Sequence, residues 1–347
     1  MDRYQRQVRL PYFGESGQEK LRLSRVLLVG CGALGTVIAD QLVRAGIGLL
    51  RICDRDLVEE SNLQRQVLFD EQDARDEIPK AVAAQRRLQK VNSSVEIDAH
   101  VVDVHSGNIE TLAGVMNELK RADLILDGTD NADSRYLIND VSVKHGIPWV
   151  YGACVGTEGR VMGIVPGQGA CLRCLFEQPP GAGELETCET AGVLGAAANV
   201  IASLQVVTAL QMLTGAGAEV TSRLTTADVW LRRFRDIDTF AARREDCPCC
   251  DRRQFEFLNE RASGLAVALC GRGAVQIRPM RAASLELVAL RTRLASLGDV
   301  TSTDYFVRFT PRDGKLSMSV FPDGRAMVHG TADPAAARSL YARYLGS

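Results

Sequence analysis

Val26–Gly35 runs VLLVGCGALG, a short apolar stretch followed by Gly30, Gly32 and Gly35 in a G-x-G-x-x-G spacing. Val26 to Val29 has the character of a buried strand, Leu34 to Ala45 of a helix closed by Gly46, and Leu49 to Cys53 of the next strand. Such a β-α-β unit aims backbone N–H groups and a helix N-terminus at the place a phosphate would occupy. Asp54 comes at the end of the second strand, where a carboxylate can accept both hydroxyls of a ribose. Any adenosine nucleotide satisfies that pattern, and at this point the choice among them stays open.

Outward from this unit, strands and helices alternate. A helix is expected from Pro79, a strand over Val95–Val101, a short strand over Asp123–Asp127 and a helix from about Asp133. That order predicts an α/β fold with a doubly wound, mostly parallel sheet and a Rossmann-like nucleotide site. After Trp149 the pattern changes to strand-like pieces broken by glycines, and Pro179–Gly183 (PPGAG) marks a loop before a long uncharged segment. A second compositional border lies near residues 250–257. Beyond it, strands are expected at Gly273–Ile277, Tyr305–Phe309, Leu316–Phe321 and Ala326–His329, with helices at Ser284–Leu297 and Pro334–Tyr344. The chain therefore divides into a nucleotide-binding domain with a metal-bearing extension, residues 1–255, and a small α+β domain, residues 256–347.

The chain has 347 residues, with 41 Lys and Arg against 43 Asp and Glu. A formal charge of −2 gives no support to a nucleic-acid partner. The first ten residues, MDRYQRQVRL, carry charge where a secretion signal needs an apolar core, so a cytoplasmic protein is expected. Thr190 to Ala218 contains no charged residue and is long enough to cross a bilayer. Asn199, Gln205 and Gln211 within it suit a helix buried between protein layers better, and no membrane association is expected.

The residues after Asp54 narrow the nucleotide. Asp54-Arg55-Asp56, then Asn62-Leu63-Gln64-Arg65-Gln66, then Pro79-Lys80, then Asp127-Gly128-Thr129-Asp130-Asn131 supply cations and carboxylates in turn. A nicotinamide cofactor is held mainly by backbone contacts and gives Arg65, Lys80 and Asp130 no task. Opening the α–β phosphate bond of ATP does: cations offset phosphate charge, and a carboxylate holds the bridging Mg²⁺.

The ten cysteines are grouped rather than scattered. Cys171 and Cys174 form CLRC, and Cys247 and Cys250 belong to CPCC. Two C-x-x-C clips offer four thiolates to a tetrahedral Zn²⁺, with Cys249 a spare thiol that leaves the ligand set slightly open. Cys31, Cys53 and Cys154 suit small core positions.

The motifs RYQRQ (Arg3–Gln7), GCGALG, NLQRQ, PK and DGTDN, in this order, resemble the adenylating enzymes of the MoeB/ThiF type, bacterial relatives of ubiquitin-activating enzymes. The resemblance extends from Arg3 to about Cys250. It implies a doubly wound sheet with a crossover loop, a homodimer, and adenylation by Mg-ATP of the C-terminal glycine of a ubiquitin-like sulfur carrier. It further implies that Asp54 binds the ribose, Arg65 and Lys80 the phosphates and Asp130 the magnesium. Asp56, Asn62 and Gln66 would line the site, Arg6 would arrive from the partner subunit, and the zinc would be structural. Cys188, in the crossover loop, is a candidate for a thioester or acyl disulfide with the carrier. Cys270 is a weaker candidate for sulfur relay. No rhodanese-like active-site loop is present, so sulfur would come from a separate donor such as a cysteine desulfurase or rhodanese. Two alternatives stand beside this reading: an NAD(P)-dependent oxidoreductase, and a non-catalytic zinc-bearing binding module.

Overall fold

A computed structural model of the chain describes residues 2–117, 120–181, 190–215, 223–259, 266–269, 273–279 and 285–346. The chain forms two compact units, Met1–Arg261 and Ala262–Ser347. The helix Glu256–Asn259 belongs to the first of them, so the border lies a little beyond the compositional one.

The first unit is built on an eight-stranded sheet in the order β3-β2-β1-β4-β5-β6-β7-β8. Its core is the expected alternation. Strands β1 (Arg25–Val29), β2 (Leu49–Asp54), β3 (Glu96–Val101), β4 (Leu124–Asp127) and β5 (Trp149–Val155) pair in parallel. Connections that return over the sheet place β4 on the other side of β1 from β2, so the order reverses at β1. A ligand crevice opens outside the carboxyl ends of the strands at such a point, and the glycine turn stands there.

Beyond β5 the sheet continues antiparallel through β6 (Glu158–Ile164), β7 (Arg223–Asp228) and β8 (Arg233–Asp238). The β7–β8 hairpin is not expected from the sequence, and the reason is physical. All six residues of β8 are exposed, so its sequence RFRDID carries no buried-face signal.

The uncharged segment forms the helix Gly195–Thr214. It is long and apolar enough to cross a membrane by length and composition. Here, however, Ala197, Ala198, Ile201, Ala202, Gln205, Val206 and Ala209 form one buried stripe packed with the core of the sheet. Gln205 Nε2 donates to the carbonyl of Asp127 at 2.8 Å, which fixes the helix on the end of β4.

Two glycines of the opening turn are there because backbone meets backbone. Gly30 has φ +88°, and a Cβ on it would stand 2.7 Å from the carbonyl oxygen of Gly128. A Cβ on Gly35 would stand 2.1 Å from the carbonyl oxygen of Gly30. The helix Ala33–Ala45 thus starts directly against the turn, and Gly46, in the left-handed conformation, closes it as expected.

The second unit carries a six-stranded antiparallel sheet, order β11-β12-β13-β14-β10-β9, with helices Leu287–Ala295 and Pro334–Leu345. Its strands are β9 (Ala266–Leu269), β10 (Ala274–Ile277), β11 (Gly298–Ser302), β12 (Val307–Pro311), β13 (Ser317–Val320) and β14 (Ala326–His329). Val275, Phe309, Met318, Val328, Leu294 and Ala337 pack its core. The edge strands β9 and β11 are additions to the expected set. The second is short and mostly polar, which a period-two pattern does not reveal.

Substituting Gly35→Ala forces the turn and the helix start apart. Urea unfolding of the intact chain is expected to show a loss of at least about 2 kcal/mol, with nucleotide binding lost before the fold is.

Candidate nucleotide site and metal centre

Asp54 ends β2 facing the glycine turn. One of its oxygens accepts the N–H of Cys31 at 2.6 Å and the other the N–H of Asp56 at 2.7 Å. Two backbone donors hold the carboxylate in one orientation before any ligand arrives. Burial raises its pKa, and the nearby Lys80 ammonium opposes that rise. Cys31, inside the turn, is fully buried and its thiol is pushed well above the ordinary range by that burial. It is a core residue, as are Cys53 and Cys154.

Lys80 comes to this place by backbone pairing over a distance in sequence. Leu57 bridges Pro79, Val58 N–H donates to Ile78, and Lys80 N–H donates to the carbonyl of Asp56. The Lys80 side chain is 4% exposed, and its Nζ lies 3.4 Å from Asp56 Oδ2. A buried ammonium persists only where anions hold it. Asp56 is one such anion, and the phosphates of a nucleotide at the adjacent turn would supply more.

The NLQRQ segment sits on the same side. Gln66 Nε2 lies 3.8 Å from where a Cβ on Gly32 would be, and the buried Oε1 of Gln66 has no hydrogen-bond partner among the described residues. An orphaned acceptor beside a phosphate turn is what a nucleotide donor group would satisfy. Asn62 is buried and closes a capping box with Glu59. Arg65 folds back on its own turn, Nη1 donating to the carbonyl of Ser61 at 2.9 Å.

Asp130 is exposed on the turn after β4, in the electrostatic reach of the Arg55 and Arg135 guanidinium groups. Asp127, three residues earlier, is fully buried and committed. It accepts Thr129 N–H and Oγ1–H, Gly152 N–H and Arg135 Nε–H. Burial raises its pKa against the pull of Arg135. Arg135 also donates to the carbonyl of Thr129 at 2.9 Å, and so clamps both limbs of the turn that presents Asp130. Sequence reasoning missed Arg135. Its signal was its place one helical turn past the N-cap Asn131, on the helix that starts at DGTDN.

Arg6 is not near its own chain's turn. The N-terminal segment packs where Gln7 Nε2 donates to the carbonyl of Ala45, at the far end of the helix Ala33–Ala45. Thirteen residues at 1.5 Å each separate it from Gly32 by about 20 Å. Cys188 and Cys270 lie outside the described residues.

The four clip cysteines do come together. Cys171 Sγ is 3.8 Å from Cys174 Sγ and 3.7 Å from Cys247 Sγ, Cys174 Sγ is 3.5 Å from Cys250 Sγ, and all four sulfurs lie within 4.8 Å of one another. Zn–S bonds of about 2.3 Å in a tetrahedron require sulfurs about 3.8 Å apart. The donor set therefore fits zinc, with Cys249 outside it.

The switch-point crevice, the glycine turn and the cation and carboxylates around it define a nucleotide-binding α/β enzyme rather than a bare scaffold. Residues 4–249 match the ThiF family, and the chain belongs to it. The sulfur carrier protein ThiS adenylyltransferase of Bacillus subtilis (strain 168) is 41% identical over 345 residues, 99% of each chain. The sulfur carrier protein adenylyltransferase of Thermus thermophilus is 38% identical over 255 residues, 72% of this chain and 90% of that one. The crystal structure of E. coli MccB with ATP shares the fold, with a TM-score of 0.60 at 22% identity over 72% of this chain and 74% of that one. The chain is an adenylyltransferase, and neither the oxidoreductase nor the binding-module alternative finds support in these relatives.

Two outcomes test this geometry. Lys80→Met removes the charge that opposes the burial of Asp54, so the Asp54 pKa moves further up. Because the ionised carboxylate is the form that accepts ribose hydroxyls, the acidic limb of ATP binding should shift to higher pH, read by calorimetric titration from about pH 5 to about pH 8. Stripping the metal with a chelator should lower the melting temperature by roughly 10 °C, the equivalent of about 3 kcal/mol, and added zinc should restore it.

Proposed function

We propose that this enzyme adenylates the C-terminal glycine carboxylate of a small ubiquitin-like sulfur carrier, preparing it for thiocarboxylate or thioester formation. The observation that carries the reading is Lys80, buried and held on Asp56 beside the ribose-binding carboxylate at the glycine turn. A nicotinamide has no use for a buried ammonium there, whereas the triphosphate of ATP does.

The carrier carboxylate is ionised at neutral pH and needs no general base. One of its oxygens attacks the α-phosphorus of ATP, the bond to the bridging oxygen breaks, and pyrophosphate leaves with that electron pair. The mixed anhydride that remains is open to displacement by sulfur. Asp54 fixes the ribose, Gly30, Gly32 and Gly35 let the backbone approach the phosphates, and Lys80 and Arg65 offset charge as pyrophosphate departs. Arg65 reaches that position by releasing Ser61. Asn62, Gln66 and Asp56 line the site. Asp130 would hold the Mg²⁺, which when bound neutralises the phosphate oxygens. Arg6 serves the site of the partner subunit in a homodimer, as its distance from its own turn supports. Cys171, Cys174, Cys247 and Cys250 would hold one structural Zn²⁺, and Cys188 would take up the activated carrier. A separate cysteine desulfurase or rhodanese would supply the sulfur, in the cytoplasm.

The carrier would dock on the terminal hairpin. Trp230, Leu231, Phe234, Ile237 and Phe240 are all exposed around β8, the last strand of the sheet. An open edge strand with exposed apolar residues on and around it suits a partner that adds to the sheet through main-chain hydrogen bonds.

Exchange of labelled pyrophosphate into ATP should depend on a carrier ending in Gly-Gly and vanish when that terminus is amidated. Lys80→Ala and Asp130→Ala should each reduce exchange by at least about 100-fold with the melting temperature retained. Exchange without any carrier, or a nicotinamide complex in place of ATP, would defeat the proposal.

A further inference from the structure

The metal centre leaves one fully buried amide unexplained. Asn139, midway along the helix Ala132–His145, is 0% exposed. Its Oδ1 accepts the N–H of Leu172 at 3.0 Å, and its Nδ2 donates to Cys249 Sγ at 3.2 Å. The backbone N–H of Leu172 can only donate, so it decides which end of the amide is oxygen. Leu172 lies inside the first clip, between Cys171 and Cys174, and Cys249 lies inside the second. One side chain therefore grips the backbone of one clip and the spare thiol of the other.

The grip has chemical content. CPCC offers three thiols for two ligand positions, and a loop of four residues can present more than one pair of them. The Cys249 thiol is fully buried and accepts from Asn139 at 3.2 Å. That sulfur is held by the amide and stands outside the four-sulfur cluster. Asp140 Oδ2 also accepts the N–H groups of Phe257 and Leu258, at 2.9 and 3.3 Å, so the segment after the second clip is held from the same helix.

We propose that Asn139 is a positioning residue of the metal centre: by joining Leu172 N–H to Cys249 Sγ it sets the two clips against each other and keeps Cys249 out of the ligand set. This rests on the reading that the four clip cysteines bind zinc. Groups that orient metal ligands are worth about 10- to 100-fold in metal affinity.

The test uses the full-length protein. Zinc per chain is measured by atomic emission, and the rate of zinc transfer to the chelator 4-(2-pyridylazo)resorcinol is then followed for wild type, Asn139→Leu and Cys249→Ser. Wild type should carry one zinc. Asn139→Leu should release it about 10- to 100-fold faster, while the zinc-stripped forms of the two proteins melt within a few degrees of each other. Cys249→Ser should still carry one zinc, since its hydroxyl can accept from Asn139. An unchanged release rate in Asn139→Leu, with loaded and stripped forms equally destabilised, would reduce Asn139 to an ordinary core residue and overturn the proposal. If Asn139→Leu does not fold, Cys249→Ser decides alone: loss of zinc makes Cys249 a ligand and overturns it. A wild-type protein without zinc overturns the metal reading itself, before either variant is made.

Discussion

One buried carboxylate holds the nucleotide end of the sheet together. Asp127 sits at the tip of β4 with no exposure to solvent, and four elements converge on it. Its own turn donates through Thr129, the following helix through Arg135 and the neighbouring strand through Gly152, and the long apolar helix reaches its carbonyl through Gln205. An ionised group in that position is stable only with these partners in place. The turn that displays Asp130 and the start of the helix Ala132–His145 are thus set by the Asp127 carboxylate, and the seating of Gly195–Thr214 by the main-chain carbonyl of the same residue. An exposed carboxylate, Asp130, is displayed by a buried one.

The second constraint is electrostatic pairing around the ribose and phosphate positions. Asp54 and Asp56 are close neighbours, and Lys80 lies between the chemistry they would do and the burial they undergo. The ammonium is brought there by backbone pairing between residues 56–58 and 78–80, not by adjacency in the chain. This arrangement separates two jobs. Asp54, held by two N–H groups, is rigid and suits recognition, while Arg65 rests on a single bond to the carbonyl of Ser61 that an anion could replace.

Much of this was legible in the sequence. The glycine spacing, the strand ends at Asp54 and Asp127 and the helix stop at Gly46 obey local rules, and each lies where those rules put it. The two clips were legible because metal ligation imposes a spacing that ordinary core cysteines lack. Arg135, Asn139 and Gln205 were not, because each is a polar residue inside a helix whose partner lies elsewhere in the chain. A charged or amide residue there looks the same in sequence whether it faces water or a buried carboxylate. The β7–β8 hairpin escaped for the opposite reason: its outer strand buries nothing and so leaves no periodic trace.

That outer strand has a further consequence, for the behaviour of the protein on its own. An exposed strand at the end of a sheet is a template for any other chain with a free edge. In RFRDID the apolar Phe234 and Ile237 are each flanked by charges, Phe234 by two arginines and Ile237 by two aspartates, so two copies laid edge to edge must bring charges of both signs into register. In the fully overlapped antiparallel register Arg233 faces Asp238, Phe234 faces Ile237 and Arg235 faces Asp236, whereas most shifted registers oppose like with like. The charge order along this one strand therefore selects a single register for self-pairing, the fully overlapped antiparallel one, and makes the open edge a surface on which the free enzyme can meet its own copy at high concentration.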